Sequence, residues 1–84
     1  MSQLEKIADE ALKEAKKATL RYPPFNSMHE GYSVLYEEVD ELWAEVKAWK
    51  MNNPDPENIK NLRTEAIHVA AMALRFIHDL CDEK

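Results

Sequence analysis

Five carboxylates fall close together in this chain, at Glu37, Glu38, Asp40, Glu41 and Glu45, and no lysine or arginine follows them until Lys47. On a helix, like charges three or four positions apart repel by a few tenths of a kcal/mol per exposed pair (~0.2–0.5), and by more where water is excluded. The helix dipole gives no relief, because its favourable effect on acidic groups fades after the first turn and the cluster begins two to three turns in. A counter-charge is expected. At ~100° per residue, Glu38, Glu41 and Glu45 share one flank, Asp40 projects to the other side, and Glu37 points away from the core.

A second polar strip runs through Glu65, His68, Met72, Arg75 and Asp79, in a segment that is otherwise apolar. Glu65 and His68 stand three residues apart and reach the same point. Facing each other across a helix pair, Glu38, Glu41, Glu65 and His68 would make an oxygen-rich cage with one nitrogen. Hard divalent cations such as Mg²⁺ or Mn²⁺ take such ligands, keep some waters and bridge to phosphates. The plainer alternative is a solvated acidic flank, with Glu65 paired to Lys60, Arg63 or Arg75 and His68 hydrogen-bonded in a core. Spacing alone admits both.

Three helices are predicted to carry these residues, about Gln3 to Arg21, Met28 to Met51 and Glu57 to Cys81. Ser2 with Glu5, and Ser27 with Glu30, have the spacing of a capping box, and Asp55-Pro56 offers an N-cap followed by proline at the first helical position. Tyr22-Pro23-Pro24-Phe25-Asn26 and Asn52-Asn53-Pro54 are the predicted breaks. Leu4, Ile7, Ala8, Ala11, Leu12, Ala15 and Ala18 line one face of the first helix. Tyr32, Leu35, Tyr36, Val39, Leu42, Trp43, Val46 and Trp49 form a broad stripe on the second, expected to face the core. The third is apolar on nearly every side, through Ala66, Ile67, Val69, Ala70, Ala71, Met72, Ala73, Leu74, Phe76 and Ile77. A helix of that kind is buried all round, and two short neighbours cannot cover it. The expectation is a single all-α domain over residues 1–84, a helical bundle completed by a second copy in a homodimer or higher homo-oligomer. Alanines serving only as helix formers are the competing explanation.

Composition narrows the function. The chain has 84 residues and a formal net charge of −5, which disfavours a nucleic-acid partner. Gly31 is the only glycine, so no glycine-rich phosphate loop exists and phosphates would be handled through metal or side chains. Cys81 is the only cysteine, and no zinc spacing or disulfide framework is present. The longest apolar run, Val69 to Leu74, is far short of the ~20 residues that span a bilayer, and the charged start does not read as a signal peptide. A cytoplasmic protein with no membrane partner is expected.

The stretch Glu37-Glu38-Val39-Asp40-Glu41-Leu42, followed after a proline-containing loop by Glu65-Ala66-Ile67-His68-Val69-Ala70-Ala71-Met72-Ala73-Leu74-Arg75, resembles the MazG-like nucleoside triphosphate pyrophosphohydrolases. The similarity runs from about Ser27 to Leu80. The family pattern of Glu-x-x-Glu on one helix and Glu-x-x-Asp on the next maps onto Glu38 with Glu41 and onto Glu65 with position 68. The resemblance implies an all-α oligomer in which these four side chains hold Mg²⁺, with Mn²⁺ as the alternative, and which hydrolyses a (deoxy)nucleoside triphosphate to monophosphate and pyrophosphate. Glu38 or Glu41 would then be the catalytic base. His68 departs from the pattern: imidazole replaces a carboxylate, removes a negative charge and favours Mn²⁺ or softer metals. A working site, a shifted metal preference and a degenerate site all follow from that change. The last would leave a non-catalytic helical oligomerisation or interaction protein.

Other residues are weaker candidates. Tyr22, Phe25 and Tyr32 could frame a nucleobase or simply pack. Lys47, Arg63 and Arg75 could contact phosphate or serve as ion-pair partners. His29 could approach the site from the helix start, and Glu30 is assigned to the capping box.

Overall fold

A computed structural model describes residues 1–50 and 55–82. Three α-helices follow one another, α1 (Gln3–Arg21), α2 (Met28–Ala48) and α3 (Pro56–Phe76), and a π-helical turn, Ile77–Cys81, extends α3. The fold is all-α, as expected. Met51 and the break at Asn52-Asn53-Pro54 lie outside the described residues. The last described residues of the second segment show the helix stopping at Ala48, with Trp49 already extended.

The helix starts follow the predicted chemistry. Ser2 and Glu5 form the full reciprocal capping box, each side chain accepting from the other's backbone N–H at 3.1 Å. Ser27 caps α2 by accepting from the Glu30 N–H at 3.0 Å. The return arm differs, because Glu30 reaches one residue further back and accepts from the Asn26 N–H at 2.9 Å. Asp55 caps α3, accepting from the Glu57 N–H at 3.0 Å, with Pro56 in the first turn where its missing N–H costs nothing.

The third helix is the spine. Both α1 and α2 pack along α3 and barely touch each other. The extents are 48 × 32 × 19 Å, so the molecule is about two helix diameters thick and forms an open layer. Ala11 and Ala15 of α1 let it approach Ile67 and Ala71 of α3, and with Phe25 these make up the buried apolar core. Gly31 permits the close crossing near the start of α2: a Cβ there would lie 2.7 Å from Leu80 Cδ1 and 2.8 Å from Phe76 Cδ2.

One packing expectation is corrected. The α2 stripe does not face the core as a whole, since Leu35, Leu42 and Trp49 are half-buried while Tyr32, Tyr36, Val39, Trp43 and Val46 are exposed. As expected of two short neighbours, α1 and α2 do not cover α3 all round, and Ile59, Ala66, Ala70, Leu74 and Ile77 lie exposed. A single chain supplies only two neighbours to α3, which leaves these positions without cover.

The loop between α1 and α2 is held from the far end of α3. Arg75, 4% exposed, donates to the Pro23 carbonyl and lies over the Phe25 ring, 4.3 Å from its centroid. Asp79 accepts from the Phe25 N–H at 3.2 Å and stands 3.5 Å from Arg75 Nε. The polar strip read on the third helix is therefore divided: Glu65 and His68 face α2, and Arg75 and Asp79 anchor the loop.

Candidate metal centre

Glu38 projects from the middle of α2, and Glu65 and His68 project from adjacent turns of α3, where the two helices pack. One ligand atom from each lies within 4.8 Å of the others. His68 Nδ1 is 3.7 Å from Glu38 Oε2 and 3.6 Å from Glu65 Oε2. Both separations exceed hydrogen-bond length. Both carboxylate oxygens are nonetheless buried, and neither has a hydrogen-bond partner among the described residues.

Glu41, one turn after Glu38, is exposed and lies outside that group of ligand atoms. It is still close enough to act on both buried carboxyls. Burial pushes the Glu38 carboxyl above its ordinary range, and the charges of Glu41 and Glu65 add to the effect while His68 opposes it. The Glu65 carboxyl is raised in the same direction, first by burial and then by Glu41, again against His68. Two buried carboxylates thus share one histidine, with a third carboxylate beside them.

This arrangement suits a cation. Two oxygens or nitrogens bound to one divalent ion at ~2.0–2.6 Å stand no more than roughly 5 Å apart, which is the spacing found here. Glu38, Glu65 and His68 could each offer one ligand atom to such an ion, and Glu41 lies outside that set. Glu45 has a different task. Its side chain and its backbone carbonyl accept from Asn58 Nδ2, at 2.8 and 3.1 Å, which ties the end of α2 to the start of α3.

The weaker candidates separate cleanly. Arg63 forms a forked pair with Glu10 of α1. Lys47 lies over Trp43, 5.8 Å from the ring centroid, and Arg75 is enclosed beneath the loop. None of the three lines the larger cavity beside Glu38 and His68, but Arg75 borders a smaller one that Glu38 also lines. Tyr32 pairs with Tyr36 on the outer face of α2, with centroids 6.2 Å apart. Tyr22 and Phe25, by contrast, line a cavity of about 410 Å³ that Glu38 also borders. His29 is exposed in the first turn of α2.

A larger cavity, about 700 Å³, lies between α1 and α3 and shares Tyr22, Glu38 and Met72 with the first. Its α1 wall carries Lys17 and Arg21. The reading of the sequence passed over these two because α1 looked like an ordinary amphipathic helix. The available signal was their spacing, four residues apart and immediately before Tyr22 and the proline pair.

Among the described residues no helix is long and apolar enough to cross a membrane. Compared with protein-family models, with curated proteins and with solved structures, the chain matches none.

Proposed function

We propose that this protein is a metal-dependent hydrolase that cleaves a (deoxy)nucleoside triphosphate to monophosphate and pyrophosphate, in the manner of the MazG-like enzymes its acidic motifs resemble. The observation that carries the reading is the pair of buried, unpartnered oxygens of Glu38 and Glu65, turned toward the same nitrogen of His68. Ionised oxygens in that state are costly unless a cation compensates them.

Glu38, Glu65 and His68 would hold Mg²⁺ or Mn²⁺, and the single imidazole tilts the choice toward Mn²⁺. When bound, the ion neutralises phosphate charge and lowers the pKa of an attacking water. Of Glu38 and Glu41, the exposed Glu41 would be the base that takes up a proton. The aromatic cavity at Tyr22 and Phe25 is of a size to receive a base, and its shared border with Glu38 supports a ligand whose phosphates would lie toward the centre.

The test is incubation of purified protein with a panel of nucleoside triphosphates and Mg²⁺ or Mn²⁺, with Glu38→Gln as control. Pyrophosphate release by the wild type alone is the expected result. Release no greater than in the control removes the reading. A second reading, a non-catalytic interaction protein, is favoured by the exposed apolar stripe of α2, and it predicts no saturable Mn²⁺ binding by calorimetry. Under the first reading the same stripe is where a second copy docks.

A further inference from the structure

The acidic centre repels an anionic ligand wherever a cation does not stand between them, so the far end of a polyphosphate needs its own positive partner. The three basic residues first considered are occupied elsewhere, by Glu10, by the Trp43 ring and by the Pro23 loop. The cavity that contains Glu38 and His68 provides two others. Lys17 and Arg21 are one helical turn apart on α1 and line the same cavity as the two cluster residues. Lys17 is paired with Glu14, also on this wall, at 3.3 Å. Arg21 makes no ion pair or hydrogen bond through its side chain among the described residues, so its guanidinium is available. A cation in the last turn of α1 is favoured by the helix dipole, which holds Arg21 there before any ligand arrives.

We propose that Arg21, assisted by Lys17, is the polyphosphate grip of this cleft, binding the phosphates that extend from the Glu38, Glu65 and His68 centre toward the end of α1. The inference rests on the nucleotide reading above and deepens it. The cavity, about 700 Å³, is within the ~300–1,000 Å³ range of small-molecule sites. Guanidinium recognises phosphate through two parallel N–H donors, which an ammonium cannot reproduce. Tyr22 follows Arg21 directly and borders both cavities, so the chain turns from phosphate contact to aromatic surface in one step. Lys17 exchanges its Glu14 partner for phosphate, and this makes it the weaker of the two contacts.

The experiment has a binding arm and a catalytic arm. With Mn²⁺ saturating, so that the acidic centre does not repel the anion, tripolyphosphate is titrated into wild type, Arg21→Ala, Arg21→Lys and, as a charge-matched control on α1, Lys16→Ala. Affinity should fall about tenfold or more in Arg21→Ala, as expected for a lost charge-assisted hydrogen bond, recover in part in Arg21→Lys, and stay unchanged in Lys16→Ala. With metal and nucleotide, KM should rise by a similar factor in Arg21→Ala, with little change in kcat and none in the affinity for Mn²⁺ alone. Equal tripolyphosphate affinity in wild type and Arg21→Ala overturns the grip, as does absence of tripolyphosphate binding by the wild type. Loss of nucleotide hydrolysis together with retained, Arg21-dependent tripolyphosphate binding removes the enzymatic reading and leaves the grip standing.

Discussion

Glu38 and Glu65 each hold one oxygen out of water and out of reach of a donor, and that sets a pH dependence of definite sign. Both carboxyls are raised above their ordinary values, chiefly by burial. Over the interval between the ordinary carboxylate range and these raised values, the folded chain keeps protons that the unfolded chain has lost. The two groups therefore stabilise the metal-free fold fully at low pH, and the contribution disappears as pH rises through their folded pKa values. Glu5, lowered by its Ser2 cap, and Glu10, lowered by Arg63, act in the opposite sense. The informative quantity is thus the difference between wild type and a Glu38→Gln, Glu65→Gln variant. Without metal, the variant should gain thermal stability relative to wild type at pH 7 and lose that advantage at pH 5. Saturating Mn²⁺ requires both carboxylates ionised, so it should raise the wild-type Tm more at pH 7 than at pH 5 and leave the variant unmoved. Melting curves at the two pH values check all of this, and a Tm of wild type indifferent to Mn²⁺ at pH 7 would refute the centre. That Glu65 and His68 share one flank was legible from their three-residue spacing. That Glu38 rather than Glu41 completes the group was not, since that depends on how α2 crosses α3.

At the scale of elements, the sequence marks where helices begin and leaves their tertiary fastening hidden. Ser2, Ser27 and Asp55 announce the starts because capping is local chemistry. The fastening depends on contacts between residues distant in sequence. Arg75 looked like a surface cation or a phosphate contact, yet it is enclosed with Asp79 beneath the Pro23-Pro24-Phe25 loop. Asn58, in the first turn of α3, is buried and tied to Glu45. Arg75 makes the sharper test. Replacing it by leucine preserves some apolar contact with Phe25, but it removes the donor to Pro23 and the cation beside the buried Asp79 carboxylate. Breaking a buried pair in this way costs about 3–5 kcal/mol, which in a domain of this size lowers Tm by more than ~10 °C. Differential scanning calorimetry should show that loss. Because Arg75 is not among the candidate metal ligands, Mn²⁺ should still stabilise Arg75→Leu below its melting temperature.

The whole molecule exposes more surface than its mass requires. A compact monomer of 9.8 kDa is expected to present roughly 5,200 Å², and this chain presents 6476 Å². The excess, roughly 1,300 Å², is larger than the ~800 Å² that each partner buries in a standard interface. Its apolar part is ordered along α2: Tyr32, Tyr36, Val39, Trp43 and Val46 follow one another at alternating steps of four and three, and Tyr32 and Trp43 are 62% and 53% exposed. That rhythm is the seam by which one helix packs against another. Apolar periodicity marks a stripe suited to burial without revealing whether the same chain covers it, which is why the stripe read as core. A second copy pairing through α2 would convert the open layer into a closed bundle and cover the seam on both chains at once. Sedimentation at micromolar concentration should give a dimer for the wild type and a monomer for Trp43→Glu. A Tm that rises with protein concentration should accompany the wild-type dimer, and this readout holds even if Trp43→Glu fails to fold. A wild-type monomer with a concentration-independent Tm would overturn the dimer.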